Sequence, residues 1–153
     1  MGKLNGKIAL VTGASKGIGA GVALSLAKEG AAVAVNYASD RVGAERVVEK
    51  IRTAGGKAIA IQGSVTSSVE IDHFFDETEK QLGAVEVLVN NAGVFAYMPL
   101  QDVNEGEFRR QIDTNVLGRV VSMKPSELVS ASRSQPSKLL QVLQEFRKKS
   151  YSN

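Results

Sequence analysis

A glycine-rich loop near the N-terminus gives the clearest chemical signal in the sequence. The segment Thr12 to Gly19 has glycines at 13, 17 and 19, and it joins a short apolar run to a longer amphipathic stretch. Glycines at this spacing permit a tight turn, let the backbone approach a pyrophosphate, and allow a helix to pack closely on a strand. The free N–H groups and the dipole at a helix start also favour phosphate groups. The spacing therefore predicts a dinucleotide-binding loop.

The elements that position this loop alternate along the chain. Four short apolar runs predict buried strands: Ile8 to Val11, Ala32 to Val35, Ala58 to Ile61 and Val85 to Val89. Four amphipathic stretches predict helices: Gly17 to Glu29, Asp40 to Ala54, Ser67 to Gly83 with a capping box at its start, and one that opens at Asn104 and passes through Ile112 and Val116 as far as Val121. Such alternation predicts an α/β fold with a parallel sheet of about four strands that is covered on both faces. In a Rossmann-like doubly wound sheet these strands would take the order 3-2-1-4 and form only the first nucleotide-binding half. Such a sheet is incomplete, and its fourth strand has an open edge.

Two further motifs follow the loop in order. Asn90-Asn91-Ala92-Gly93 stands directly after the fourth predicted strand, and Asn115-Val116-Leu117-Gly118 lies in the fourth predicted helix. With the Thr-Gly-x-x-x-Gly-x-Gly spacing of the loop, they make the chain similar to the short-chain dehydrogenase/reductase family. It resembles 3-oxoacyl-carrier-protein reductases and glucose dehydrogenase-like members over about residues 1–118.

The resemblance implies that NAD or NADP binds at the carboxyl ends of the strands. The resemblance and the positions of the strand ends together suggest a set of cofactor contacts. They are Gly13, Ser15, Lys16, Gly17, Ile18, Gly19, Asn36, Tyr37, Ala38, Ser39, Ser64, Val65, Asn90, Ala92 and Gly93. Many members of the family have Asp where this chain has Ser64. We therefore expect a weaker contact to adenine at that position.

The end of the second strand bears on the choice of cofactor. NAD sites place an acidic residue there for the ribose 2′-hydroxyl, whereas this chain has Asn36 to Ser39 and no carboxylate until Asp40. Lys16 in the glycine loop can meet a 2′-phosphate. Both features favour NADP over NAD. The alternatives, that Lys16 is a solvated loop lysine and Tyr37 a surface aromatic, stay open on the sequence alone.

Of the catalytic set that the resemblance implies, only Asn115 can be placed. The family uses a Tyr as general acid, a Lys four residues later that lowers its pKa, and a Ser that polarises the carbonyl. No Tyr-x-x-x-Lys occurs, because Tyr151 follows Lys148 and Lys149 and has no lysine four places on. We expect an NADP(H)-dependent oxidoreductase by resemblance, truncated before these residues and of little or no activity alone. The alternatives are a non-catalytic NADP-binding or partner-dependent module, and a non-functional truncated product.

Composition changes sharply near residue 119. Residues 1–118 contain 12 Lys+Arg and 14 Asp+Glu with all 15 glycines, whereas residues 119–153 contain 7 and 2. We predict a partial NADP-binding domain over 1–118 and a basic, serine-rich, partly disordered tail over 119–153, with a helix over 138–149. One hypothesis is that a frame shift, alternative splicing or rearrangement joined this tail to a longer reductase.

Composition also excludes several classes of protein. The absence of cysteine excludes disulfides and thiol chemistry, and a single histidine, His73, excludes a multi-histidine zinc site. No apolar run reaches the roughly 18 residues of a membrane helix, and no signal peptide is visible. We expect a cytoplasmic protein with no metal and no nucleic-acid or membrane partner, which binds a nicotinamide dinucleotide and pairs with itself or another chain through the open sheet edge. Arg109 and Arg110 are interpreted as surface residues.

Overall fold

Strands and helices alternate throughout the part of the chain that the computed structural model describes, residues 2–123. The strands are β1 (Ile8–Val11), β2 (Ala32–Tyr37), β3 (Ala58–Gln62) and β4 (Val87–Val89). The helices are α1 (Gly17–Lys28), α2 (Arg41–Thr53), α3 (Ser68–Gln81), α4 (Glu105–Ile112) and α5 (Gly118–Ser122), with a 3-10 turn at Leu100–Asp102 and a π-helical turn at Asp113–Leu117. The predicted α/β architecture is confirmed. The predictions for the helix at 138–149, for disorder in the tail and for Tyr151 lie outside the described residues.

The four strands form one parallel sheet in the order β3-β2-β1-β4, as predicted. In the register of this sheet, Val11 of β1 lies opposite both Val35 of β2 and Val89 of β4. The parallel register brings the carboxyl ends of all four strands to the same edge of the sheet. Every loop that leaves a strand therefore begins at this edge, which is where open α/β sheets bind ligands.

The sheet is covered on both of its faces. Successive strand residues point to opposite faces, and Val33, Ala34 and Val35 of β2 are all fully buried. Helices α1 and α2 contact each other, and so do α3 and α5. Burial on both sides explains why the strands of this chain are continuous apolar runs without polar alternation.

Side-chain caps begin three of the helices, and one of them departs from the predicted capping box. Ser67 accepts the N–H of Glu70 at 3.3 Å, as a cap of α3 should. The carboxylate of Glu70, however, accepts the N–H of Ser64 at 2.8 Å and not that of Ser67. The Ser67 N–H instead donates to the Ser64 carbonyl at 3.4 Å. Only half of the predicted capping box forms, and its acidic member fixes the loop that leaves β3.

Several element bounds differ from the predicted ones. Strand β2 extends to Tyr37 and β3 to Gln62, whereas β4 begins at Val87, two residues later than predicted. The last helical segment continues through a π-helical turn and α5 to Ser122, and so passes the boundary that composition suggested at residue 118. Ser122 is buried and its hydroxyl donates to the Gly118 carbonyl at 2.7 Å.

Strand β4 pairs with β1 alone within residues 2–123, so the predicted open edge is present in the described part of the sheet. Apolar side chains that follow β4 are exposed, among them Phe95, Tyr97 and Leu100. Pairing of this edge with another chain stays a prediction. In the described residues no helix is long and apolar enough to cross a membrane, and the cytoplasmic location also stays a prediction.

Candidate cofactor-binding site

A cavity of about 720 Å³ opens at the carboxyl ends of the strands. Its volume falls within the roughly 300–1,000 Å³ that is usual for small-molecule sites. Most of the cofactor contacts predicted from the sequence line it: Gly13, Ser15, Lys16, Ile18, Gly19, Asn36, Tyr37, Ala38, Ser39, Ser64, Val65, Ala92 and Gly93. Gly17, Asn90 and Asn115 are not among its lining residues. Residues that sequence reasoning did not assign to the site also line it: Asp40, Gly63, Thr66, Asn91, Val94, Arg110 and Thr114.

The glycine loop adopts a backbone conformation that requires glycine at two positions. Gly13 has φ +62° and Gly17 has φ +57°, values that side chains rarely adopt. A Cβ at Gly13 would lie 2.8 Å from Cα of Ala92, so the loop touches the segment that follows β4. A Cβ at Gly17 would meet nothing within 4 Å. The backbone at Gly17 therefore faces open space, where a ligand could approach it.

The first turn of α1 differs from those of α2, α3 and α4. Its N-cap residue, Lys16, makes no side-chain cap hydrogen bond, and the first turn contains no acidic residue. The other three helices begin with the capping side chains Asp40, Ser67 and Asn104. The partial positive charge at the start of α1 is thus not offset by a side chain of its own turn, and a bound anion could offset it.

Gly19 lies where α1 and the segment after β4 are packed most closely. A Cβ at Gly19 would lie 2.4 Å from Nδ2 of Asn91 and 2.5 Å from the carbonyl oxygen of Gly13. The same Nδ2 donates to the carbonyls of Thr12 and Gly13, each at 3.0 Å. Only a residue without a side chain leaves room for this amide. Gly19 thus allows Asn91 to join the glycine loop to the segment after β4.

Thr12 forms the second link between the same two segments. Its Oγ1 accepts the N–H groups of Asn91 at 3.0 Å and of Ala92 at 3.1 Å. The Thr12 N–H donates to the carbonyl of Val89 at 3.0 Å. Sequence reasoning chose Asn90 as a contact and missed Asn91, because the Asn-Asn pair alone does not show which amide points toward the loop.

Asn36 connects the glycine loop to the end of β3. Its Nδ2 donates to the carbonyl of Gly63 at 3.0 Å, and its Oδ1 accepts the N–H of Gly13 at 3.3 Å. The side chain is 1% exposed, so its amide serves the backbone and positions the wall of the cavity. Tyr37 is buried in the core at 7% exposure. The alternative that Tyr37 is a surface aromatic is therefore wrong.

The charged groups around the end of β2 are Lys16 and Asp40. Lys16 is exposed at the cavity. Asp40 also lines the cavity, but its Oδ1 accepts the Gly43 N–H at 2.9 Å and caps α2. A Cβ at Gly43 would lie 2.5 Å from Oδ2 of Asp40. The carboxylate nearest the end of β2 is therefore already engaged by its own helix.

Asn115 lies in the π-helical turn and holds the segment after β4 from the other side. Its Nδ2 donates to the carbonyl of Val94, and its Oδ1 accepts the Val94 N–H, both at 2.8 Å. A Cβ at Gly93 would lie 3.1 Å from the same Oδ1. π-Helical turns often occur at functional sites. In this structure both polar atoms of the predicted catalytic amide bind backbone.

Both arginines are exposed, as the sequence indicated, and Arg110 in addition lines the cavity. Arg109 is exposed and pairs with Glu105 at 2.7 Å. Arg110 lines the cavity, and it pairs with Glu107 through Nε at 2.9 Å and Nη2 at 2.8 Å. The hydrogen bond from Arg110 holds the pKa of Glu107 below its usual range, and partial burial of Glu107 opposes this shift. The sequence pattern around Asn115 does not show which arginine of α4 faces the cavity, because that depends on how the helix is rotated about its axis. In the structure it is Arg110.

Comparison with known proteins identifies the family. The family model for short chain dehydrogenases matches residues 7–134. The chain belongs to the short-chain dehydrogenase family. It is 53% identical over 118 residues to an uncharacterized oxidoreductase of Methylorubrum extorquens, covering 77% of this chain and 48% of that protein. It is 48% identical over 112 residues to a 3-oxoacyl-[acyl-carrier-protein] reductase of Staphylococcus epidermidis, covering 73% and 46%.

Solved structures of short-chain dehydrogenases share the fold. A dehydrogenase/reductase from Sinorhizobium meliloti superposes with a TM-score of 0.77 at 39% identity, covering 78% of this chain and 48% of that one. A short chain dehydrogenase from Burkholderia cenocepacia in complex with NADP superposes with a TM-score of 0.76 at 38% identity, covering 79% and 49%. The chain spans about half the length of the relatives that it matches.

Substitution of Gly19 tests the close packing in this site. We expect Gly19→Ala to lower the free energy of unfolding by about 1–3 kcal/mol, the usual effect of overpacking. Gly21→Ala is the matched control, since it lies in the same helix with nothing within 4 Å of its Cβ position. It should stabilise the protein by about 0.5–1 kcal/mol. Urea denaturation followed by circular dichroism measures both, and equal effects would contradict the packing argument.

Substitution of Thr12 tests the hydrogen bonds of its hydroxyl. Thr12→Val keeps the shape but leaves the partly buried N–H groups of Asn91 and Ala92 without their acceptor, at up to about 1–3 kcal/mol for each group. Thr12→Ser keeps the acceptor and removes one methyl group, which costs about 1 kcal/mol. We therefore expect the valine variant to unfold at a clearly lower urea concentration than the serine variant. If the serine variant is the less stable of the two, the hydroxyl does not hold this junction.

Proposed function

We propose that this chain binds a nicotinamide dinucleotide in the cavity at the carboxyl ends of its strands, with NADP(H) preferred over NAD(H). The observation that supports this most directly is the glycine loop. Its backbone at Gly17 faces open space, and it leads into a helix start that lacks a capping side chain. The proposed contacts are the predicted residues that line the cavity, together with Gly17.

The pyrophosphate would lie at the first turn of α1. Backbone N–H groups point out of a helix N-terminus, and the helix dipole favours negative charge there. The bonds from Asn36, Asn91 and Thr12 fix the surrounding backbone before any ligand arrives. Little ordering of the loop is then needed on binding, which favours affinity.

The preference for NADP rests on the charges near the end of β2. Lys16 is an exposed cation that can pair with a 2′-phosphate, and Ser39 adds an exposed hydroxyl. Asp40 caps α2 through one carboxylate oxygen, so it is poorly placed to receive a ribose 2′-hydroxyl as acidic residues of NAD sites do. The relative from Burkholderia cenocepacia that was solved with NADP supports the same choice.

The reaction class that we propose is hydride transfer between the nicotinamide and a carbonyl or alcohol, the chemistry that such a cofactor supplies when bound. This chain's residues bind and orient the cofactor, and Asn115 positions the segment after β4. The sequence contains no Tyr-x-x-x-Lys motif. We therefore propose that the 153-residue chain binds the cofactor but turns over substrate slowly or not at all.

The names of relatives do not narrow the substrate beyond this class. One is a 3-oxoacyl-[acyl-carrier-protein] reductase of Staphylococcus epidermidis, and another is a hydroxynaphthalene reductase-like protein of Metarhizium robertsii, 41% identical over 112 residues. An alternative is a non-catalytic module that depends on a partner. The open edge of β4 in the described residues is the observation in its favour.

Substitution of Lys16 tests the choice of cofactor. Titration calorimetry of the purified chain should show saturable binding of NADPH and weaker binding of NADH. We expect Lys16→Ala to weaken NADPH binding about tenfold, the size of one hydrogen bond to a charged group, and to leave NADH nearly unchanged. Lys28→Ala, at the far end of α1, is the control and should change neither. An equal loss for both cofactors would contradict a contact to the 2′-phosphate.

An activity assay separates binding from catalysis. We expect the chain to bind NADPH and yet to oxidise it no faster than background when 3-oxoacyl or aromatic carbonyl substrates are added, because the sequence offers no paired Tyr and Lys as general acid. The loss of NADPH absorbance measures the rate. Saturable turnover above background would overturn this expectation and would show that the chain has a proton donor outside the Tyr-x-x-x-Lys pattern.

A further inference from the structure

The cavity has a second cation for which cofactor binding through the glycine loop gives no role. Among the described residues that line it, Lys16 and Arg110 are the only lysine or arginine side chains. Lys16 precedes α1, whereas Arg110 lies on α4, far away in sequence. The question is which part of a bound dinucleotide Arg110 would contact.

The packing of α5 holds the last helical segment against the loop that leaves β3. A Cβ at Gly118 would lie 2.6 Å from the Val65 carbonyl, so the last helical segment packs tightly on this loop. Thr114 and Arg110 lie about one and two turns before Gly118 on the same continuous segment, and both line the cavity. Ser64, Val65 and Thr66 line it as well. Arg110 therefore lines the same cavity as the loop after β3, on a helical segment that packs against that loop.

The sheet order determines what reaches that end. A pyrophosphate at the start of α1 leaves the adjoining ribose near the end of β2, where dinucleotide sites place the group that reads its 2′ position. The next strand outward is β3, the last in the order β3-β2-β1-β4. The purine base, which is attached to that ribose, would therefore extend to the loop after β3 and to Arg110.

The ion pair of Arg110 leaves its guanidinium able to meet a ring. Glu107 is bound through Nε and Nη2, which occupies one edge of the group. The side chain of Glu107 is only 16% exposed, and its carboxylate also accepts from Gln111 at 3.1 Å, so the carboxylate is held in place. The side chain of Arg110 is still 47% exposed. A planar guanidinium held at one edge, with exposed surface, is suited to stack on an aromatic ring.

We propose that Arg110 contacts the purine base of the dinucleotide with the face of its guanidinium. This inference rests on the proposed function and adds to it the residue that holds the adenine end. The contact would be independent of the 2′ position, because NADP and NAD have the same base. It gives the site a cation–π contact beside Ser64, where the family resemblance would place a carboxylate.

Titration calorimetry with NADPH and NADH tests the contact on the full 153-residue chain. We expect Arg110→Ala to weaken both cofactors by the same factor, roughly 3- to 30-fold for the loss of a cation–π contact. Lys16→Ala, in contrast, should change their ratio. Arg109→Ala is the matched control, because it removes a neighbouring arginine of α4 that pairs with Glu105 and does not line the cavity. Thermal unfolding of each variant checks that the fold is kept.

Arg110→Lys separates the ring contact from simple attraction of charge. Lysine keeps the charge but has no planar face, so we expect it to restore less than half of the lost binding free energy. Arg110→Ala that binds like Arg109→Ala, or Arg110→Lys that binds like the unaltered chain, would overturn the proposal and leave cofactor binding intact. If the unaltered chain binds neither dinucleotide, the proposed function falls together with this inference.

Discussion

The junction between the glycine loop and the segment after β4 is the constraint on which the rest of the site depends. At the carboxyl ends of parallel strands the sheet hydrogen bonds stop, and backbone groups that are buried there need other partners. Thr12 and Asn91 supply them by bonding each other's segments. Gly13 and Gly19 leave the space in which these bonds can form. The side of the loop that faces the cavity remains open.

The same need for hydrogen-bond partners explains why several residues predicted to contact the ligand have structural roles. The amide of Asn36 binds Gly13 and Gly63, Asp40 caps α2, and Asn115 holds Val94. In the described residues no buried side-chain nitrogen or oxygen lacks a hydrogen-bond partner. A dinucleotide would therefore meet mainly backbone N–H groups and exposed side chains. Its affinity would then depend on few side chains, and Lys16 and Arg110 are the cations among those that line the cavity.

Much of the fold could be predicted because local signals and the global fold agree. Continuous apolar runs mark strands that are buried on both faces, and Ser67 and Asn104 mark helix starts that the structure confirms. The sheet order β3-β2-β1-β4 is the one expected for the first half of a Rossmann-like sheet. The sequence could not show features that depend on how a helix or loop is rotated and how far a side chain extends. These are which asparagine of the pair at 90 and 91 faces the loop, which N–H the Glu70 carboxylate accepts, and that α4 brings Arg110 to the cavity. These outcomes arise from packing between segments that are distant in sequence.

Binding of the cofactor can be studied separately from turnover of a substrate. The hydrogen bonds that join the glycine loop to its neighbours come from residues between Thr12 and Ala92, and Asn115 fixes the far wall from within the same unit. None of these bonds needs the open edge of β4. On the proposed function, cofactor affinity depends on these contacts, whereas turnover depends on a proton donor beside the nicotinamide. A chain that binds a dinucleotide through these contacts can still be slow, because affinity and rate then depend on different groups.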